Sequence, residues 1–179
     1  MIRLFIDSTT DIPEDFSKKH PMGLIPLMVT VNGKSYRDRY EISIEELYGE
    51  MRKGVLPKTS LPNLDEMTQL FEEALGSGMD VCYLAFSGEM SGTLQAARLV
   101  ASDLAERYPE RAITVLDSRG GSIATGLIAM QMQLWIEAGF SMDELVAHGE
   151  EMIGHIQHLF TISSLDWLVK GGRLQKQVG

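Results

Sequence analysis

Apolar residues along this chain fall into short runs that alternate with helical periods. Ile2 to Ile6 is a strand-like run that gives way to Asp7-Ser8-Thr9-Thr10-Asp11, and a brief helix is expected from Pro13 to about Lys19. Leu24 to Val31 reads as one strand. Asn32-Gly33 supplies a tight turn into Lys34 to Tyr36, because both residues accept the positive φ that a two-residue hairpin demands. Ser43 with Glu46, Asn63 with Glu66 and Ser141 with Glu144 have capping-box spacing, in which side chain and backbone at a helix start satisfy each other. The helices they open carry Leu47, Tyr48 and Met51, then Met67, Leu70, Phe71 and Ala74, then a stretch running to about Ile156. Between them lie a strand at Val81 to Phe86, a helix at Leu94 to Arg107, a strand at Ala112 to Leu116 and a helix from about Ile123 to Ala138. Leu159 to Ser163 looks like a last strand, and Leu165 to Val169 like a final helical turn or two before Gly171-Gly172.

Strands alternating with helices of this length imply an α/β fold, an open and mostly parallel sheet with helices on both faces. Such sheets bind ligands beyond the carboxyl ends of their strands. Ser87-Gly88-Glu89-Met90-Ser91-Gly92-Thr93 stands at that kind of strand-to-helix junction. A helix start leaves its first N–H groups without intrahelical partners and gathers partial positive charge, so a hydroxyl-rich turn there can hold an anion. Similar clusters, Asp7 to Asp11, Lys58-Thr59-Ser60 and Asp117-Ser118 with Ser122, also stand where apolar runs end. Helix capping alone accounts for one or two of these hydroxyls.

Composition narrows the function classes. A chain of 179 residues can bury a full core as one domain. A formal net charge of −9 argues against nucleic acid and anionic membrane surfaces, both of which need a basic face. A small anion is compatible with it, since local donors outweigh a distant charge that salt screens over about 8–10 Å. No apolar stretch approaches the roughly 18 residues of a membrane span, and no signal peptide precedes the first strand, so a cytoplasmic protein is expected. The single cysteine, Cys82, lies in an apolar run and reads as a core thiol. His155 and His158 are three apart near a helix end but lack the cysteine or carboxylate partners of a zinc site, so no metal is expected. The serine in Gly88-Glu89-Met90-Ser91-Gly92 stands one place too late for a nucleophile elbow, and both the P-loop and Gly-x-Gly-x-x-Gly patterns are absent.

Five motifs occur in order: Asp-Ser-Thr-x-Asp from Asp7, Lys-Thr-Ser-x-Pro from Lys58, Ser-Gly-x-x-Ser-Gly-Thr from Ser87, Asp-Ser-x-x-x-Ser from Asp117, and Leu-x-x-Leu-x-x-Gly-Gly-Arg ending at Arg173. Together they resemble the DegV family of bacterial fatty-acid-binding proteins. The resemblance implies an α/β domain over residues 1–169, with 170–179 a junction toward a second α/β domain that is largely absent from this chain. It implies one acyl chain buried between the domains, no cofactor and no catalytic residue. The role it implies is the acyl-carrying subunit of a fatty acid kinase system, in which a separate kinase phosphorylates the bound carboxylate. Thr59 and Ser91 match the hydroxyls that hold the carboxylate, with Ser60, Gly92 and Thr93 beside them. Ser8 and Thr9 match the opening motif and Ser122 the later serine, and the Gly-Gly-Arg segment is more structural. One departure is Ala124, where members usually carry glycine. The 11 methionines suit an adaptable lining, although Met67, Met130 and Met132 sit at core-facing helical positions. The alternative is an α/β enzyme that binds a phosphorylated small metabolite at the same turns.

Overall fold

The structure is a computed structural model that describes residues 1–159, 161, 164–172 and 174. Four strands, β1 (Ile2–Asp7), β2 (Gly23–Ile25), β6 (Asp80–Ala85) and β7 (Ile113–Asp117), form a parallel sheet in the order β2-β1-β6-β7. Three more, β3 (Met28–Val31), β4 (Lys34–Arg37) and β5 (Lys58–Ser60), make a separate antiparallel sheet in the order β4-β3-β5. The helices are α1 (Glu14–Lys19), α2 (Ile44–Arg52), α3 (Leu64–Gly76), α4 (Thr93–Arg107), α5 (Ser122–Glu137), α6 (Met142–His155) and α7 (Asp166–Lys170).

Alternation along the two central strands explains the layering. Phe5, Val81, Tyr83 and Ala85 face a core built with Met67, Phe71, Leu94 and Leu104 of α3 and α4. Leu4, Ile6, Cys82 and Leu84 face the opposite core with Ile128, Met132, Leu145 and Ile153 of α5 and α6. The sheet is thus covered on both sides, as its nearly continuous apolar strands require. Met67 and Met132 are fully buried in these cores. Cys82 is buried too, and desolvation pushes its thiol up to about 12.

The small sheet corrects the reading of Leu24 to Val31 as one strand. The run divides at Pro26-Leu27, where proline offers no N–H to a ladder, so β2 stays in the main sheet while β3 leaves it. Asn32 (φ 52°) and Gly33 (φ 78°) make the expected hairpin turn between β3 and β4. Lys58 to Ser60 forms β5, which pairs antiparallel with β3.

Ser43 and Ser141 complete their capping boxes. Asn63 accepts from the amides of Asp65 and Glu66, but the return bond is missing because the Glu66 carboxylate accepts from Arg37 Nη1 at 3.1 Å. The expected strand at Leu159 to Ser163 falls on positions 160, 162 and 163, which lie outside the described residues. Arg173 lies outside them as well.

Candidate functional site

The main strands end side by side at Ile25, Asp7, Ala85 and Asp117, so the turns that follow them share one edge. The turn after β6 is closely tied down. Phe86 N donates to Asp7 Oδ2 (2.7 Å), Ser87 N to the Gly120 carbonyl (3.0 Å) and Gly88 N to Asp117 Oδ1 (3.2 Å). The amides of Met90 and Ser91 both donate to the Ser87 carbonyl at 3.1 Å. The turn then delivers α4, a helix of 15 residues whose N-cap, Gly92, has no side chain to offer. Thr93 N donates to Ser91 Oγ at 3.2 Å, and the two hydroxyls lie 2.8 Å apart. The amides of Leu94 and Gln95 have no hydrogen-bond partner among the described residues. Each of the paired hydroxyls has one proton, and their mutual bond uses only one of the two. One O–H and two N–H groups are therefore available at the positive end of a helix dipole, the equipment for an anion.

In the neighbouring turns the hydroxyls of Thr9 and Ser122 donate internally. Asp7 is fully buried, and its Oδ1 accepts from Thr9 N (3.0 Å) and Thr9 Oγ1 (2.5 Å) while Oδ2 accepts from Tyr83 OH (3.1 Å) as well as Phe86 N. Burial and the nearby Asp7 charge raise the Tyr83 phenol well above its ordinary value, so it stays a donor. Ser8 Oγ accepts from Leu27 N at 3.1 Å across the break between β2 and β3. Ser122 Oγ donates to Asp11 Oδ2 (2.5 Å), whose other oxygen accepts from Arg39 Nη2 (2.7 Å). The backbone of Ser122 bridges the β1 turn through Thr9 O and Asp11 N, and it adopts φ 55°. Gly126, one turn into α5, packs against the Asp11 carbonyl. Ser118, Thr125 and Thr10 are buried beneath these turns, and Thr10 Oγ1 has no hydrogen-bond partner among the described residues.

The sequence-predicted residues therefore divide by location. Ser91, Gly92 and Thr93 form the α4 start, and Ser8, Thr9 and Ser122 sit in the flanking turns. Thr59 and Ser60 belong to β5, exposed, and their hydroxyls have no hydrogen-bond partner among the described residues. The chain leaving β5 reaches the α4 start directly: a Cβ built on Gly92 would lie 3.5 Å from Leu61 Cδ2. Leu61, Leu64 and Met90 remain exposed around this junction. Two clefts open elsewhere, one of about 590 Å³ between the small sheet and α2, the other of about 390 Å³ beside Arg3, Phe5 and Tyr40. His155 Nδ1 contacts the Glu151 carbonyl at 2.8 Å, and the His158 ring lies over Gly120. Among the described residues no group of three His, Cys, Asp or Glu side chains could hold a metal ion, and no helix is long and apolar enough to cross a membrane.

Sequence reasoning passed over Asp7 and Asp117 while collecting the hydroxyls beside them. The available signal was that each ends an apolar run and precedes a serine.

Comparison with known proteins gives the same family along the whole chain. Residues 1–179 match the family described as uncharacterised protein, DegV family. A DegV domain-containing protein of Clostridium perfringens is 31% identical over 173 residues, covering 96% of this chain and 60% of its relative. Among solved structures, a fatty-acid-binding DegV family protein from Thermus thermophilus superimposes with a TM-score of 0.83 at 32% identity, over 96% of this chain and 60% of the other. DegV from Bacillus subtilis, described as a fatty acid binding protein, gives 0.85 at 31% identity, over the same shares. A stearic-acid-binding protein from Eubacterium ventriosum gives 0.88 at 28% identity, over 100% and 62%. The chain thus spans about three fifths of the length of these relatives. A matching parallel sheet, matching helices and a family match from end to end lead to one conclusion: this chain belongs to the DegV family.

Proposed function

We propose that this protein binds a long-chain fatty acid and presents its carboxylate to a separate fatty acid kinase, performing no chemistry itself. The observation that carries the reading is the start of α4, where Ser91 and two amides without hydrogen-bond partners among the described residues stand at the positive end of a long helix. Thr59 and Ser60 of β5 carry hydroxyls without a hydrogen-bond partner among the described residues, Leu61 next to them lies against Gly92, and Leu61, Leu64 and Met90 would give the hydrocarbon an apolar surface. Thr9 and Ser122 have committed their protons to Asp7 and Asp11, so in this reading they shape the site and do not donate to the acid.

The energetics suit a fatty acid. Each buried methylene contributes about 0.8 kcal/mol, so a long chain supplies roughly 10 kcal/mol before ordering costs, and the headgroup needs only orientation. Neutral donors orient a carboxylate without pairing it to a buried cation, which would blunt its attack on a phosphoryl donor. The fatty-acid-binding descriptions of the Thermus and Bacillus relatives support the same ligand class.

Mass spectrometry of a solvent extract of the purified protein tests the reading. A retained long-chain fatty acid is expected, and the double variant Thr59→Ala with Ser91→Ala should lose it while keeping its circular dichroism. An extract free of lipid, together with thermal stabilisation by inorganic phosphate, would instead favour an enzyme for a phosphorylated metabolite. With ATP, acyl phosphate should form only when the kinase is added.

A further inference from the structure

The fatty-acid reading leaves two carboxylates of the candidate site without a role. Asp7 is the last residue of β1 and Asp117 the last of β7, and these strands flank β6 on either side. Each reaches across its ladder to an amide just beyond Ala85: Asp7 Oδ2 takes Phe86 N at 2.7 Å and Asp117 Oδ1 takes Gly88 N at 3.2 Å. Gly88 fits closely in that grip, since a Cβ there would lie 2.6 Å from Leu94 Cδ2 and 3.3 Å from Asp117 Oδ2. The turn so held is the one that places Ser91 and the two amides of α4 that have no hydrogen-bond partner among the described residues.

We infer that Asp7 and Asp117 are positioning residues, which grip the β6 turn from both sides and fix the headgroup donors of α4 in a binding geometry. The inference rests on the fatty-acid reading for its ligand but not for its geometry. It also distinguishes the two residues. Both oxygens of Asp7 accept, Oδ1 from Thr9 and Oδ2 from Tyr83 and Phe86, so an asparagine can serve only one side. Among the described residues Asp117 accepts through Oδ1 alone, from Gly88 N and from Arg119 N at 2.9 Å, and an asparagine carbonyl can do the same.

The test measures oleate affinity and amide hydrogen exchange in the 179-residue chain and three variants. Asp117→Ala should weaken oleate binding about tenfold and speed Gly88 exchange about tenfold, the consequence of leaving a held amide without its acceptor. Asp117→Asn should stay within about threefold of the parent in both measurements. Asp7→Asn should weaken binding about tenfold and speed exchange at Phe86. If Asp7→Asn fails to fold, the Asp117 pair decides alone. The inference is overturned if Asp117→Asn behaves like Asp117→Ala, or if Asp117→Ala changes neither measurement. Were the parent chain to bind no oleate, the ligand reading would fail, while Gly88 exchange would still decide the positioning role.

Discussion

Gly126 lies inside α5, where alanine would ordinarily be better by about 1 kcal/mol. Here a Cβ would fall 1.9 Å from the Asp11 carbonyl oxygen, a backbone atom that cannot swing aside. Gly126→Ala should therefore destabilise by about 1–3 kcal/mol. Gly49, inside α2, meets nothing within 4 Å, and Gly49→Ala should stabilise the protein by about 0.5–1 kcal/mol. Urea midpoints at constant slope give both signs, and a Gly126→Ala variant as stable as the parent or more so would refute the packing assigned to Gly126. Cys82 behaves as its surroundings dictate: with its thiol pushed up to about 12 by burial, it should resist a thiol reagent at pH 8 until the protein is unfolded. Labelling at the rate of a free thiol in the native protein would contradict that burial. The cysteine was legible in the sequence because its whole neighbourhood is apolar. The grip of Asp7 and Asp117 on the β6 turn was not, because Phe86 and Gly88 follow a different strand and no local spacing reports contacts made across a sheet.

At the scale of elements, helix starts were the most legible feature. A capping box is a contact between residues three apart, so Ser43 with Glu46 and Ser141 with Glu144 could be read directly. Asn63 with Glu66 has equivalent spacing, yet Arg37, from a strand distant in sequence, takes the Glu66 carboxylate. The division of Leu24 to Val31 was obscured for a related reason: proline marks a possible break, but only tertiary pairing shows that two sheets meet there. The intact boxes also predict pH behaviour. Glu46 and Glu144 are held below the ordinary carboxylate range, first by the backbone N–H of Ser43 and Ser141 and then by their hydroxyls. Because these values are lowered in the folded state, the stability they contribute is complete above the unfolded carboxylate value and is lost as pH falls through the folded one. Ser141→Ala should cost about 1 kcal/mol at pH 7. The penalty should shrink in acid, where Glu144 is protonated in parent and variant alike. Melting both at pH 7 and in acid checks this, and a penalty independent of pH would show that the carboxylate takes no part.

Across the whole molecule, a conflict between net charge and site chemistry yields a further prediction. A net charge of −9 repels a fatty acid carboxylate at long range, while in the proposed binding mode the hydroxyl and amides at the start of α4 attract it at contact. The two forces respond differently to salt. Repulsion from dispersed surface charges weakens once the screening length falls to about 8 Å near physiological ionic strength. Hydrogen bonds at a partly buried helix start are much less affected. Oleate affinity should therefore rise modestly, by about two- to threefold, as sodium chloride goes from a few millimolar to about 0.15 M. Oleyl alcohol, with the same chain and no charge, should bind more weakly and show no such rise. Calorimetric titrations of both ligands at the two salt concentrations separate the terms. If oleate bound less tightly as salt increased, a cation would have to dominate the headgroup site, and neutral donors at α4 could not be what holds the acid.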